Sequence, residues 1–142
     1  MSDLRLEPLA AMVTWRFEAP LPLTQWQSLL AEFLQLLADG AVAAGPRVIG
    51  HIKALAALPD GGYIRASVVD ITHGADVQAG GKLPAEMAAL RFTVNVLVYG
   101  LPRDVALRQL EGAALAVACE HDGHALVDVP RVGHDIYEVE HR

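Results

Sequence analysis

The sequence predicts an α+β fold, a two-layer sandwich in which a mainly antiparallel sheet carries both helices on one face. Three observations favour it: a strongly alternating run at Leu90 to Leu101, two segments with apolar residues at helical spacing, and a Pro-Asp-Gly-Gly turn between two extended segments. The predicted order is β-α-β-β-β-α with a short extended C-terminal tail. We expect both helices on the apolar face of the sheet because each has a single apolar stripe to bury.

The first strand is predicted at Met12 to Glu18, where apolar and polar residues alternate. A helix follows from about Gln25 to Asp39. Thr24 and Gln27 have the spacing of a capping box at its start, and Gly40 is the expected C-cap. The residues that recur at helical spacing, and that we expect in the core together with Trp15 of the strand, are Trp26, Leu29, Leu30, Phe33 and Leu37.

A hairpin is predicted next, with strands in Arg47 to Leu58 and Tyr63 to Ile71 on either side of the turn. The following segment, Thr72 to Ala89, contains three glycines and a proline. It is predicted to be a long loop with one helical turn at Ala85 to Ala88. We expect the strand at Leu90 to Leu101 to continue the hairpin as a consecutive three-stranded meander.

Pro102 is well placed at a helix start, and an apolar stripe then runs to about Glu120. The small residues Gly112, Ala113 and Ala114 are expected to let this helix lie close to the sheet. The tail, residues 122–142, has two weakly alternating segments, Ala125 to Val129 and Ile136 to His141. We expect edge strands here, or an arm that reaches a neighbouring subunit. No linker divides the chain, so residues 1–142 are predicted to form a single domain.

Composition limits the classes of protein to consider. Hydrophobic residues make up 53% of the 142 residues, which indicates a subunit interface and therefore a homo-oligomer. The one cysteine, Cys119, excludes an intramolecular disulfide, and its place in an apolar helix predicts a buried structural thiol. Met1 to Pro8 carries charges where a secretory signal needs an apolar core, so we expect a cytoplasmic protein.

Charge and hydropathy argue against two kinds of partner. The net charge of -6 opposes binding to nucleic acid, and the apolar runs are too short and too interrupted to span a membrane. We therefore expect neither partner.

The polar sides of the strands predict a candidate binding surface. If every strand turns its apolar residues towards the helices, the opposite face collects four cations and several polar groups. Arginine offers paired donors to phosphate or carboxylate, which favours a small anionic ligand. The expected ligand-binding residues are Arg16, His51, Lys53, Arg65, Arg91, Thr93 and Asn95.

Other interpretations of the same surface stay open. It is equally consistent with an ordinary solvated sheet face, or with a face that binds a protein partner, including a neighbouring subunit. An enzyme is the alternative to a binding or assembly module. In that case His51 or His73 would be the acid/base, the arginines would stabilise negative charge, and the 72–89 loop would close over the site.

The C-terminal histidines offer only weak candidates for metal ligands. His121 and His124 lie near carboxylates and Cys119, but their spacing matches no strong metal-binding signature. No nucleotide-binding or catalytic motif is present either. The sequence therefore predicts neither a metal nor a cofactor, and it does not decide whether the protein is an enzyme.

Overall fold

A computed structural model of the chain describes residues 7–45 and 48–129. Its elements are β1 (Leu9–Pro22), α1 (Leu23–Ala43), β2 (Val48–Ala57), a 3-10 turn (Pro59–Gly61), β3 (Tyr63–Val68), β4 (Asp76–Gly80), β5 (Glu86–Tyr99), α2 (Arg103–Glu120) and β6 (His124–Asp128). The strands form one antiparallel sheet in the order β4-β3-β2-β5-β1-β6. The predicted α+β class is confirmed.

The core lies between the sheet and the two helices. Along β5, Leu90, Phe92, Val94, Val96 and Val98 are buried while the residues between them are mostly exposed. The central strands β1, β2 and β3 alternate in the same way. Because side chains in a strand point alternately to opposite faces, this pattern means that the helices cover one sheet face and that no segment within residues 7–45 and 48–129 covers the other.

Aromatic side chains join the two layers at the centre of the core. Trp15 of β1 packs edge-to-face against Phe33 of α1 at 5.5 Å and against Phe92 of β5 at 4.9 Å between ring centroids. The Trp15 indole N–H also donates a hydrogen bond of 3.1 Å to the carbonyl oxygen of Ala114 in α2. One residue therefore contacts both helices and the neighbouring strand, which places both helices on the same face.

Helix α1 is longer at both ends than predicted. Thr24 lies inside the helix, the N-cap is Pro22, and no side chain caps the N-terminus, so the predicted capping box is wrong. Gly40 is also internal. Its carbonyl accepts a hydrogen bond from Gln109 of α2, and the buried stripe continues to Ala41, so packing against α2 extends the helix beyond the glycine.

The predicted loop at 72–89 is wrong, because half of it is sheet. Residues 76–80 form the edge strand β4, and β5 begins at Glu86 where a helical turn was expected. The glycines serve close packing. A side chain at Gly80 would collide with the Tyr63 ring, and Gly81 has φ +74° where it passes the carbonyl of Gly61.

The order of the strands also differs from the predicted meander. The hairpin of β2 and β3 is present, but β3 continues to β4, and β5 lies on the other side of β2, between β2 and β1. The chain therefore returns across about three strand spacings, roughly 14 Å, which the five residues 81–85 are long enough to span. The long apolar face of β5 explains this placement, since the centre of the sheet buries it against both helices.

Helix α2 agrees with its predicted extent, although two details of the interpretation are wrong. Cys119 is exposed and is not the buried thiol that was expected. Gly112 is exposed as well, and a side chain there would meet open space, so it does not bring the helix close to the sheet. Beyond α2, strand β6 falls in the first weakly alternating segment of the tail. The second, Ile136 to His141, lies outside the described residues.

The two faces of α2 give a matched test of this packing. Leu110 is fully buried and Leu115 is 50% exposed. We expect Leu110→Ala to lower the free energy of unfolding by about 2 to 5 kcal/mol because it leaves a cavity under the sheet. Leu115→Ala should change it by less than about 0.5 kcal/mol. Urea unfolding followed by circular dichroism measures both, and equal losses would contradict the assigned helix face.

Candidate functional site

The uncovered sheet face carries the residues that the sequence predicts to share a surface. We call it the open face. By strand alternation it includes ten polar or charged residues, and every one of them is exposed or half-buried: Thr14, Arg16, Glu18, His51, Lys53, Arg65, Ser67, Arg91, Thr93 and Asn95. The structure therefore confirms that these side chains lie on one face.

Pairing registers place these residues in rows across the sheet. One row runs from β4 to β6 through every strand, and its members are Gln78, Arg65, Leu55, Thr93, Met12 and Asp128. The next row contains Asp76, Ser67, Lys53, Asn95 and Ala10. Both rows have an acidic residue at an edge of the sheet and a basic residue nearer the middle.

The four cations form two separate pairs. Lys53 and Arg65 are diagonal neighbours on β2 and β3, with Cα atoms about 8 Å apart in a regular sheet. Arg91 and Arg16 are diagonal neighbours on β5 and β1 at a similar spacing. The pairing of β2 with β5 places the Cα atoms of Lys53 and Arg91 about 14 Å apart. The cations therefore surround the middle of the open face and do not converge on one point.

Arg65 is held in place by its neighbours. Its guanidinium donates to Gln78 Oε1 from Nε at 3.0 Å and from a terminal nitrogen at 2.6 Å, and it lies over the Tyr63 ring at 5.8 Å. Lys53, Arg16 and Arg91 have no ion-pair partner among residues 7–45 and 48–129. Three of the four cations are thus available to a partner.

Exposed apolar side chains also lie on the open face, and they are not among the residues predicted from the sequence. Leu55 is 50% exposed on β2, between Arg65 and Thr93, and Leu126 is 63% exposed on β6. Met12, half-buried, lies in the same row as Leu55. The alternation of β2 already assigns Leu55 to this face, so the signal was present.

The two histidines proposed for catalysis have different surroundings. His51 is half-buried on β2, opposite Leu97 of β5. His73 is an exposed residue of the turn between β3 and β4, where its Nδ1 lies 3.0 Å from a carboxylate oxygen of Asp70. The segment that the enzyme hypothesis uses as a lid contains β4 and the start of β5, so it is not a free loop.

The two weak metal candidates are separated by the fold. His124 is exposed on the open face, opposite Arg16. His121 follows the last residue of α2 and lies close to Glu120 and Glu32, the latter on α1. A hydrogen bond with Glu120, together with partial burial and repulsion between the two carboxylates, raises the pKa of Glu32. Glu32 was not a candidate in the sequence because it is remote from the C-terminal histidines along the chain.

Comparisons with known proteins are informative about the fold. The structure is similar to that of a hydantoinase/carbamoylase family amidase from Burkholderia ambifaria, with a TM-score of 0.50 and 16% sequence identity. The match covers 89% of this chain and 28% of that one, so this chain spans little more than a quarter of the amidase. At this identity the likeness concerns the fold alone. No protein-family model matches the chain, and no curated protein is significantly similar to it.

Neither helix within residues 7–45 and 48–129 combines the length and apolarity that crossing a lipid bilayer requires.

The turn at Asp70 gives a prediction about pH. The backbone N–H and the hydroxyl of Thr72 both donate to the Asp70 carboxylate, at 2.9 Å and 2.8 Å, and these hydrogen bonds lower the pKa of Asp70. We expect Thr72→Val, which keeps the N–H and removes the hydroxyl, to raise this pKa part of the way towards its ordinary value. Carbon-detected NMR titration of the aspartate carboxylates measures the change.

The lowered pKa of Asp70 determines how its contribution to folding stability changes with pH. A carboxyl group with a lowered pKa stabilises the folded state above its unfolded pKa, and that contribution disappears as the pH falls through the folded pKa. The variant should therefore lose less stability than the parent on acidification. An unchanged Asp70 pKa in Thr72→Val would show that the hydroxyl hydrogen bond does not form in solution.

Proposed function

We propose that this protein is a cytoplasmic, non-enzymatic assembly module that pairs with a second copy of itself through the open face. The observation that carries the proposal is the exposed Leu55 at the middle of an uncovered sheet face, with Arg65, Lys53 and Arg91 around it. An apolar centre with a polar and charged rim is the usual anatomy of a protein–protein interface. A sheet face of this kind buries its apolar centre by packing against another sheet.

The spacing of the cations favours a protein partner over a small anion. Phosphate and carboxylate are bound best when two or more donors converge on them. Here Lys53 of one cation pair and Arg91 of the other are about 14 Å apart, and Leu55 lies between the two pairs. Arg65 also directs two of its donors to Gln78.

The strand-pairing registers support one arrangement of the two copies. Face-to-face sheets pack with their strands within about 30° of each other. A two-fold axis parallel to the strands and midway between β2 and β5 satisfies this condition and places each row opposite the same row of the second copy. Leu55 then faces Thr93 of the second copy, and the two Leu55 side chains are neighbours across the axis.

Charge complementarity supports the same axis. In this arrangement Arg65 faces Met12 of the second copy, and Asp128 of the second copy is one strand away from that position. Leu126 faces Gly80, where the Tyr63 ring covers the open face, so the contact there would be apolar. An axis perpendicular to the strands through this row would instead place Arg65 on Arg65. Like charges directly opposed disfavour that alternative.

A charge placed at the centre of the open face should prevent pairing. We expect the parent protein to be a dimer in light scattering after gel filtration, and Leu55→Asp to be a monomer near the chain mass of 15.2 kDa. Leu115→Asp is the matched control because Leu115 has the same 50% exposure on the outer side of α2. That variant should remain a dimer, since its charge is far from the interface.

Two results would overturn the proposal. One is a parent protein that stays monomeric at the highest soluble concentration, and the other is a Leu55→Asp variant that still dimerises. A monomer that carries a copurified anion in native mass spectrometry, and loses it on joint Arg65→Ala and Arg91→Ala substitution, would establish the anionic-ligand alternative instead.

A charge exchange tests the register of the pair. Asp128→Arg should weaken dimerisation about 3- to 10-fold, because it brings a cation near Arg65 of the second copy. Adding Arg65→Asp to the same chain should recover most of the lost affinity. Sedimentation equilibrium measures the dissociation constants. Losses that simply add in the double variant would exclude a contact between these two positions.

A further inference from the structure

A group of metal-ligating side chains lies outside the open face, where α1 passes the C-terminal end of α2. It consists of Glu32, Glu120 and His121, whose ligand atoms all lie within 4.8 Å of one another. We propose that these three side chains bind one divalent transition-metal ion of the zinc class. Each offers a donor atom that zinc uses in proteins, namely imidazole nitrogen or carboxylate oxygen.

The end of the helix makes this grouping possible. Successive residues inside an α-helix point about 100° apart and do not face each other. His121 leaves the helical conformation, with φ -117° and ψ 21°, directly after Glu120. The two neighbours can therefore reach one point. Glu32 reaches the same point from α1, so the donors come from two elements that are held together by the core.

Electrostatics at this position favours a cation. A carboxylate oxygen of Glu32 and one of Glu120 lie within 4.8 Å of each other, so the two groups repel when both are ionised. The negative end of the α2 dipole adds to their field, and the last turn of α2 contains no basic residue. A bound divalent ion would neutralise both carboxylates at once.

The donor set selects among metals. Magnesium and calcium prefer shells made only of oxygen, whereas an imidazole with two carboxylates suits borderline ions such as zinc. Three protein ligands leave a fourth tetrahedral position for water. Glu32 and His121 are half-buried, so part of the site is shielded from solvent. The ion would link α1 to the end of α2 and so stabilise the folded chain.

The test uses zinc chloride alone, added to the full chain after treatment with a chelator. The parent and every variant in this test carry His134→Ala and His141→Ala. These two substitutions remove the imidazoles of the tail beyond residue 129. Isothermal titration calorimetry should show one ion per chain, and saturating zinc should raise the Tm by about 5 °C. Glu32→Gln and His121→Ala should each weaken binding by about 10-fold or more.

His124→Ala is the matched control. It removes an imidazole from the neighbouring strand β6 on the open face, so zinc affinity should not change. Cobalt(II) provides a second readout, since its visible absorption should indicate nitrogen coordination in the parent and lose that signature in His121→Ala. Three results would overturn the proposal: no zinc binding by the parent, full affinity in His121→Ala, or magnesium binding as tight as zinc binding.

Discussion

Trp15 joins the sheet to both helices through its packing and its hydrogen bond. Its ring contacts Phe33 on one helix and Phe92 on the central strand, and its N–H is bonded to the main chain of the other helix. A buried indole that satisfies its one donor fixes both the depth and the orientation of the elements around it. The helices are consequently confined to one side of the sheet.

This confinement is the origin of the open face. Once the apolar residues of each strand are committed to the core, strand alternation sends every second residue to the opposite side. Most of those residues are polar, as on any solvated sheet. Leu55 and Leu126 depart from that pattern, and their exposure distinguishes this surface from an ordinary one. The proposed self-association and the arrangement of charges around Leu55 both follow from this single geometric fact.

Local patterns were sufficient to predict the fold class and the sides of the strands. The alternation of β5, the stripe from Trp26 to Leu37 and the turn before Tyr63 each determine their element with little help from the rest of the chain. The polar residues of the open face, from Arg16 to Asn95, follow from the same alternation. What these patterns predict is which way a side chain points.

Long-range packing decided the features that were predicted incorrectly. The position of β5 beside β2 depends on which strand buries the most apolar surface, a competition that no local window contains. Strand β4 has only five residues and ends at the first of two consecutive glycines, so it resembles a loop in sequence, and only its pairing with Tyr63 to Ser67 makes it a strand. Glu32 joins His121 for a similar reason, because α1 and α2 must pack before the middle of one helix can meet the end of the other.

The two outermost strands of the sheet that the structure describes, β4 and β6, have five residues each and carry Asp76 and Asp128. A five-residue edge strand offers few free backbone groups to an incoming chain. Its carboxylate also repels the carboxylate of an identical edge strand. Growth of the sheet sideways into a filament is therefore discouraged, whereas closed face-to-face pairing uses no strand edge. The face-to-face pair proposed above would therefore stop at a fixed number of subunits.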